Sequence, residues 1–236
     1  MNLYVGTSGF SYKGWKGPFY PEKLPDKEML AYYGSQLPAV EINNTFYRMP
    51  KREVFENWAA QVPDTFRFSV KASRRITHFK RLVDCDEILD FLLAGAGALG
   101  ERLGVLLFQL PPQFKADLER LEAFLGTLPR DVRCAFEFRN RSWMEDDVFD
   151  ALREHGVALV VADTDKEDAE IVSTAPWGYL RLRKTDYTDA QTAAWAERVT
   201  AQEWDDAFVF FKHEDAGIGP LMAKRFLEAA GNGGRG

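Results

Sequence analysis

Cys134-Ala-Phe-Glu-Phe-Arg139 reads as a short strand that ends in charged residues. Side chains alternate along a strand, so Phe136 and Phe138 share one face while Glu137 and Arg139 share the other. Directly afterwards, Ser142-Trp-Met-Glu145 fits a capping box, which predicts that a helix starts there. A strand that ends in charges and is followed by a helix is the unit that recurs along this chain.

Seven further stretches show the same strand pattern. The predicted strands cover residues 3–7, 39–43, 66–71, 104–109, 134–139, 157–163, 179–183 and 208–212. Helical periodicity or capping follows most of them, in residues 26–35, 84–99 and 118–125 and after Pro50, Ser142, Thr188 and Pro220. The weakest helical signal is in residues 164–177, between the sixth and seventh strands.

This alternation predicts a single (β/α)8 TIM-type barrel of parallel strands, with the sixth helix weak or missing. The barrel would span residues 1–230, and the glycine-rich residues 231–236 would form a flexible tail. A doubly wound open sheet is the competing architecture. Gly6-Thr-Ser-Gly9 does not match the glycine fingerprint of a dinucleotide site, so no nucleotide cofactor motif supports that alternative.

Composition narrows the protein class. The chain has 236 residues, of which 46% are hydrophobic and 28% charged, as expected of one globular domain. Its net charge of −6 disfavours broad attraction to nucleic acid. The sequence contains no apolar run of membrane-spanning length and enters a strand at Leu3, so we expect neither a membrane segment nor a signal peptide. Cys85 and Cys134 form no disulfide framework, which predicts reduced thiols in a cytoplasmic protein.

Polar residues lie at the carboxyl ends of nearly all predicted strands, which is where TIM barrels carry their active sites. They are Thr7, Ser8, Glu41, Asn43, Lys71, Gln109, Glu137, Arg139, Asp163, Arg181, Arg183, Lys212 and His213. One interpretation is a network of ion pairs that closes the barrel. We favour a polar pocket, because apolar layers would serve stability better than buried charges do.

Two chemistries suit this set. In the first, a carboxylate acts as base while lysine and arginine bind an anionic substrate; the catalytic candidates are Glu137, Glu41, Lys71 and Asp163. In the second, Glu41, Glu137 and Asp163 bind a divalent metal. The second is weaker, because the chain has only three histidines and no H-E-x-x-H motif. The predicted substrate-binding residues are Asn43, Tyr47, His78, Gln109, Arg139, Arg181, Lys212 and Trp15.

The chain resembles the YecE-like family, also called domain of unknown function 72. The matching segments are 5–10, 15–21, 40–50, 68–72, 76–78, 107–112, 136–139 with Ser142-Trp143, 162–163 and 179–181. The resemblance implies a TIM-barrel-type fold and supplies no reaction. The chain departs from the family pattern at Arg181-Leu-Arg-Lys184, where relatives usually have Arg-x-His-Gly, and at Lys212-His-Glu-Asp215. Roles for Arg183 and His213 therefore do not carry over.

Three functional hypotheses follow. The first is an enzyme that acts on a small anionic, sugar-like or phosphorylated substrate. The second is a metal-dependent phosphodiesterase or nuclease-like barrel that binds nucleic acid through an aromatic loop and nearby basic residues. The aromatic residues are Tyr12, Trp15, Phe19 and Tyr20, and the basic ones are Lys13, Lys16, Arg74, Arg75, Lys80 and Arg81. The third is a non-catalytic barrel that binds an anionic metabolite. The sequence indicates no oligomeric state.

Overall fold

A computed structural model describes residues 1–165, 169–212 and 217–232. Eight parallel strands close into a barrel in the order in which they occur along the chain. They are β1 (Asn2–Ser8), β2 (Ala39–Ile42), β3 (Arg67–Lys71), β4 (Leu103–Gln109), β5 (Cys134–Glu137), β6 (Ala158–Asp163), β7 (Trp177–Leu182) and β8 (Asp206–Phe211). The predicted (β/α)8 TIM-type barrel is confirmed.

The described residues contain seven α-helices, which lie outside the barrel. They are α1 (Met29–Gln36), α2 (Arg52–Ala60), α3 (Asp86–Ala96), α4 (Leu118–Leu125), α5 (Asp146–Glu154), α6 (Asp189–Thr200) and α7 (Ile218–Asn232). Helix α7 reaches two residues into the segment predicted as a flexible tail, and residues 233–236 lie outside the described part of the chain. No described helix is long and apolar enough to cross a membrane. The cytoplasmic location stays a prediction.

The connection between β6 and β7 has no helix in its described residues, as the weak signal there predicted. Side chains of this connection instead form hydrogen bonds with backbone amide and carbonyl groups at the start of β6. The Thr174 hydroxyl donates to the Val157 carbonyl at 2.7 Å and accepts from the Leu159 amide at 2.8 Å. Nearby, the Trp204 indole donates to Ser173 at 2.8 Å. Hydrogen bonds from an irregular segment therefore replace a helix on this side of the barrel.

The two predicted capping boxes have opposite outcomes. Thr188 and Gln191 form the box at the start of α6. The box predicted at Ser142–Glu145 is wrong, because α5 begins only at Asp146. Asn140 instead caps a short 3₁₀ turn, and its side chain accepts a hydrogen bond from the Ser142 hydroxyl at 2.8 Å. The same hydroxyl accepts from the Ala116 amide, so it ties two loops together rather than starting a helix.

The interior of the barrel is filled by side chains towards the amino-terminal ends of the strands. Buried aromatic side chains from β7 and β8, including Trp177, Tyr179, Phe208 and Phe210, fill it together with aliphatic residues of the other strands. Below them, Arg133 forms an ion pair with Asp206 and lies over the rings of Trp177 and Phe208. Asn2 also donates to Asp206, at 2.8 Å. Among the described residues, these side chains fill the amino-terminal end of the barrel interior, so the cavity described below opens at the carboxyl ends of the strands.

Gly6 sits where β1 passes closest to β2. A Cβ added there would lie 1.8 Å from the Ala39 carbonyl oxygen and 2.9 Å from the Tyr33 hydroxyl, which itself bonds both strands. We expect Gly6→Ala to lower the free energy of unfolding by about 1–3 kcal/mol, because backbone must move to make room. Urea denaturation measures this loss. Gly14→Ala is the control, since its Cβ would meet nothing within 4 Å. Equal losses in the two variants would contradict the packing argument.

Candidate active site

A cavity of about 360 Å³ opens at the carboxyl ends of the strands. This volume is in the range of small-molecule sites. The described residues that line it are Ser8, Tyr12, Asn43, Phe46, Tyr47, Lys71, His78, Gln109, Arg139, Arg181, Arg183 and Lys212. Seven of the eight predicted substrate-binding residues are thus brought together, and the exception is Trp15.

Arg181 is the centre of the polar layer beneath the cavity. Its side chain is 3% exposed and bridges two carboxylates, Glu41 at 2.8 Å and Glu137. Burial opposes the charged form of Arg181, but the two carboxylates outweigh burial and raise its pKa above the ordinary value. The guanidinium therefore stays charged and joins strands β2, β5 and β7.

Glu41 is fully buried, and hydrogen bonds reach both of its oxygens. Ser8 and Asn43 donate to Oε1 at 2.7 and 2.9 Å, and the Tyr179 hydroxyl donates to Oε2 at 2.8 Å. Burial alone would raise its pKa, yet Arg181 and these donors hold the pKa below its usual range. Glu41 is consequently ionised and fully engaged, which makes it a poor proton acceptor.

Glu137 is surrounded by arginines. Besides Arg181, it accepts from Arg139 Nε at 3.0 Å and from Arg183 Nη1 at 3.3 Å. Burial opposes ionisation, but the three guanidinium groups together lower its pKa to about 2. A carboxylate with so low a pKa is far from the neutral range in which a general base works best. Its contacts indicate that it holds the arginines in place.

The pKa of Lys71, unlike that of Glu137, is shifted towards the neutral range. Its ammonium donates to Gln109 Oε1 at 2.5 Å and lies 4.3 Å from the centre of the Phe46 ring. Burial, and then the charge of Arg181, lower its pKa to about 8. Lys71 therefore lines the cavity as a group that can exchange a proton close to neutral pH.

Aromatic side chains form one wall of the cavity. Phe46 contacts Tyr47 and His78 edge-to-face, with ring centres 5.0 and 4.9 Å apart. A π-helical turn, Arg75–Phe79, positions His78, whose Nδ1 is 2.9 Å from the Thr77 hydroxyl. Burial, followed by the charge of Lys71, lowers the pKa of His78, so its imidazole is neutral at pH 7.

The described lining has one sign of charge. Five of its residues are basic, namely Lys71, Arg139, Arg181, Arg183 and Lys212, and none is acidic. The carboxylates of Glu41 and Glu137 lie beneath and compensate part of this charge. Among the described residues, the Nε atoms of Arg181 and Arg183 also have no hydrogen-bond partner. The site therefore offers positive charge and N–H donors, as a binding site for anions does.

Asp163 corrects one expectation. Asp163 does not reach the cavity. It is the register partner of Leu182 in β7, and both side chains point outwards from the barrel towards the helices. There it accepts from the Tyr187 hydroxyl at 2.8 Å and the Trp195 indole at 3.1 Å. The barrel therefore does not bring Asp163 together with Glu41 and Glu137, as the metal hypothesis required.

Trp15 and the loop around it correct a second expectation. Trp15 is completely buried and does not line the cavity, so it cannot contact a substrate there. Its ring packs against Tyr12, Phe19 and Tyr20. Of these aromatics only Tyr12 reaches the cavity, which leaves the loop without the stacking surface that the nucleic-acid hypothesis assigned to it.

The remaining predictions concern a metal site, His213 and the two cysteines. In the described residues, no three His, Cys, Asp or Glu side chains are arranged to hold a metal ion. His213 lies outside the described part of the chain. Both cysteines are free and buried. Sequence reasoning missed Phe46 and Tyr179, although Tyr179 is two residues before Arg181 in β7 and so shares its inward face.

The family model described as "Protein of unknown function DUF72" matches residues 4–235. The chain belongs to the DUF72 family. UPF0759 protein YecE of Escherichia coli K12 is 32% identical over 168 residues, which are 69% of this chain and 59% of that protein. UPF0759 protein YunF of Bacillus subtilis is 33% identical over 150 residues, 60% of this chain and 52% of YunF. The matches thus span little more than half of these curated relatives.

Solved structures of DUF72 proteins share the barrel. A member from Thermotoga maritima is 30% identical, with a TM-score of 0.84 over 97% of this chain and 100% of the other. A member from Enterococcus faecalis, at 22% identity, gives a TM-score of 0.77 over 97% of this chain and 95% of the other. The second likeness concerns the fold alone.

Proposed function

We propose that the protein is an enzyme that acts on a small anionic, sugar-like or phosphorylated substrate. The observation that carries this proposal is the cavity itself, in which the described lining combines five basic side chains with no acidic one. Arg139, Arg183 and Lys212 would contact the anionic group. Asn43 and Gln109 would contact hydroxyl groups, and Lys71 would transfer the proton.

The role of the carboxylates follows from their contacts. Glu41 and Glu137 hold Arg181, and their lowered pKa values disfavour the base role that the sequence suggested for them. Lys71 instead combines access to the cavity with a pKa of about 8, which suits proton transfer. The catalytic proposal therefore moves from the carboxylates to the lysine.

The substrate has room to extend beyond one anionic group. A second hollow of about 540 Å³ shares Arg139 and Arg183 with the cavity. Its described lining also includes polar, apolar and acidic side chains, among them Asn140, Arg141, Phe138, Met144, Glu137 and Asp165. Two adjoining hollows with common arginines fit a substrate whose anionic group lies between a polar part in the cavity and a partly apolar part in the second hollow. We therefore expect substrates larger than a single phosphate or carboxylate to bind more tightly than inorganic anions.

Binding of inorganic phosphate tests the anion site. Phosphate at 100 times its Kd should raise the free energy of unfolding by about 2.7 kcal/mol, which a thermal melt records as a higher Tm. Lys212→Ala should weaken phosphate binding about tenfold or more, because a charge-assisted contact contributes about 1.5–3 kcal/mol. Exposed Lys27 does not line the cavity, so Lys27→Ala is the matched control.

A melt that is insensitive to phosphate and to sugar phosphates would count against the proposal. If phosphate binds but no phosphorylated or carboxylated sugar is turned over, the hypothesis of a metabolite-binding barrel gains instead. Turnover is what separates the two, since both require the same contacts.

One observation favours a second candidate, a single-stranded nucleic acid as ligand. Tyr47 and Phe79, which are 69% and 67% exposed, lie on either side of Arg74, with its guanidinium 5.6 and 5.3 Å from the two ring centres. Exposed aromatic and arginine side chains near a basic cavity can stack with bases. Binding of a DNA or RNA oligonucleotide that falls steeply with salt would support this candidate, and no binding at low salt would exclude it.

A further inference from the structure

Lys71 is placed as nucleophilic lysines are. Its side chain ends at the cavity although the residue is only 8% exposed. Its hydrogen-bond acceptor is the neutral amide of Gln109, and the aromatic ring of Phe46 lies on another side. None of the described ion pairs includes Lys71, because Glu41 and Glu137 pair with arginines. Desolvation and neighbouring cations are the two conditions that activate a lysine amine.

The uncharged amine is therefore well populated. With a pKa of about 8, about a tenth of Lys71 is neutral at pH 7. An exposed lysine with a pKa near 10.4 is neutral in only about one molecule in 2,500. Only the neutral form has the lone pair that attacks carbon, so Lys71 is the lysine best prepared for covalent chemistry at this cavity.

We propose that the Lys71 amine forms an imine with a small aldehyde or ketone that also carries a phosphate or carboxylate group. The inference rests on the proposed function, because it uses the same cavity and the same basic residues. It adds the class of substrate, an anionic carbonyl compound, and a covalent step on a named atom, Nζ of Lys71.

The step is balanced without an oxidant or reductant. Nζ attacks the carbonyl carbon, the N–C bond forms, and the electron pair of the C=O bond moves to oxygen, which takes up a proton as nitrogen loses one. The C–O bond of this carbinolamine then breaks as the nitrogen lone pair forms C=N, and the protonated hydroxyl leaves as water. One amine, one carbonyl group and one proton thus give one iminium ion and one water.

Neighbouring residues supply what this step needs. His78 lines the same cavity and is neutral at pH 7, so it can accept a proton from nitrogen and return it to the departing hydroxyl. Arg139, Arg183 and Lys212 are the basic residues that remain for the anionic group. Binding of that group beside Lys71 would hold the carbonyl carbon close to Nζ.

Reductive trapping tests the proposal on the full chain. The protein is incubated with glyoxylate, an aldehyde that carries a carboxylate, and with cyanoborohydride, whose hydride converts an imine to a stable secondary amine. Peptide mass spectrometry then locates the modified lysines. We expect Lys71 to react about tenfold or more faster than exposed Lys27 and Lys115 in the same molecule, because its amine is neutral far more often and because the basic residues of the cavity bind the carboxylate of glyoxylate beside it. Its rate should rise with pH up to about 8.

Three further measurements isolate the role of the anion. Acetaldehyde, which lacks a charged group, should modify Lys71 with much less preference, and inorganic phosphate should protect Lys71 from glyoxylate. Lys212→Ala should slow the labelling of Lys71 while leaving that of Lys27 unchanged. Equal labelling by acetaldehyde and glyoxylate would overturn the assignment of an anionic carbonyl substrate.

The outcomes also separate this inference from the proposed function. If phosphate raises the Tm but Lys71 reacts no faster than Lys27, the imine is ruled out and the anionic-substrate proposal stands. If phosphate has no effect and Lys71 is not labelled, both fail. Preferential, phosphate-sensitive labelling of Lys71 supports both.

Discussion

Arg181→Leu is expected to lower the free energy of unfolding by about 3–5 kcal/mol, since removing one partner of a buried ion pair leaves the other charge uncompensated. Here two carboxylates lose that partner at once, because Arg181 bridges Glu41 and Glu137 with all three side chains no more than 3% exposed. Urea denaturation with a fitted midpoint and slope measures the loss.

The matched control is Arg153→Leu. Arg153 also pairs with a carboxylate, Asp150, at 2.6 Å, but both side chains are well exposed. Exposed pairs contribute only about 0–1 kcal/mol, so this variant should remain close to the parent protein. If Arg181→Leu proved as mild as its control, the buried network would be dispensable for stability.

Glu137→Gln is expected to lower the free energy of unfolding by a comparable amount, about 3–5 kcal/mol, because it leaves buried positive charges uncompensated instead of negative ones. It leaves Arg181, Arg139 and Arg183 close together without the carboxylate that all three contact. Glu56→Gln, which affects the exposed pair with Arg52, is the control. A double variant with Arg181→Leu should lose less than the sum of the two single losses, because the residues share one network.

Acid titration gives this prediction a second signature. Folding lowers the pKa of Glu137 from 4.5 to about 2, so its stabilising contribution is complete above pH 4.5 and is lost as the pH falls towards 2. The parent protein should therefore lose stability through this range more steeply than Glu137→Gln does. Parallel curves for the two proteins would mean that Glu137 has the same pKa folded and unfolded.

The expected loss of stability in Glu137→Gln affects how a loss of activity in that variant should be interpreted. A carboxylate whose removal disturbs three arginines would abolish turnover whether or not it ever accepts a proton. Inactivity of Glu137→Gln therefore cannot by itself identify a base, and its stability has to be measured alongside. Replacement of Lys71 breaks none of the described ion pairs and removes its hydrogen bond to Gln109 and its contact with the Phe46 ring, so the stability of a Lys71 variant is measured in the same way.

The sequence predicts the barrel well, because its strands and helices alternate and because hydrophobic periodicity is a local property. It also predicts that Glu41, Glu137 and Arg181 point into the barrel at the end where the cavity opens, since each belongs to a strand whose two faces differ in polarity. Strand β6 is different. It is apolar on both faces up to Asp163, so alternation cannot show which residues point inwards.

Trp15 illustrates a second limit. An aromatic residue in a loop packs inwards or covers a ligand according to the surrounding tertiary structure, which local sequence does not contain. Likewise, the sequence shows charges of both signs at the strand ends, but it cannot show that the arginines engage the carboxylates and leave Lys71 with a neutral acceptor. That pairing depends on distances across the barrel.

The closed floor of the barrel has a kinetic consequence. Because Arg133, Asp206 and the aromatic residues above them fill the amino-terminal end of the barrel, the substrate and product of the proposed reaction would both have to use the opening at the carboxyl ends of the strands. A product still bound to Arg139, Arg183 and Lys212 would then block the next substrate, so product inhibition should be competitive. If the reaction joins two molecules, the one that reaches Lys71 must enter first, and initial-rate kinetics should show an ordered sequence of addition.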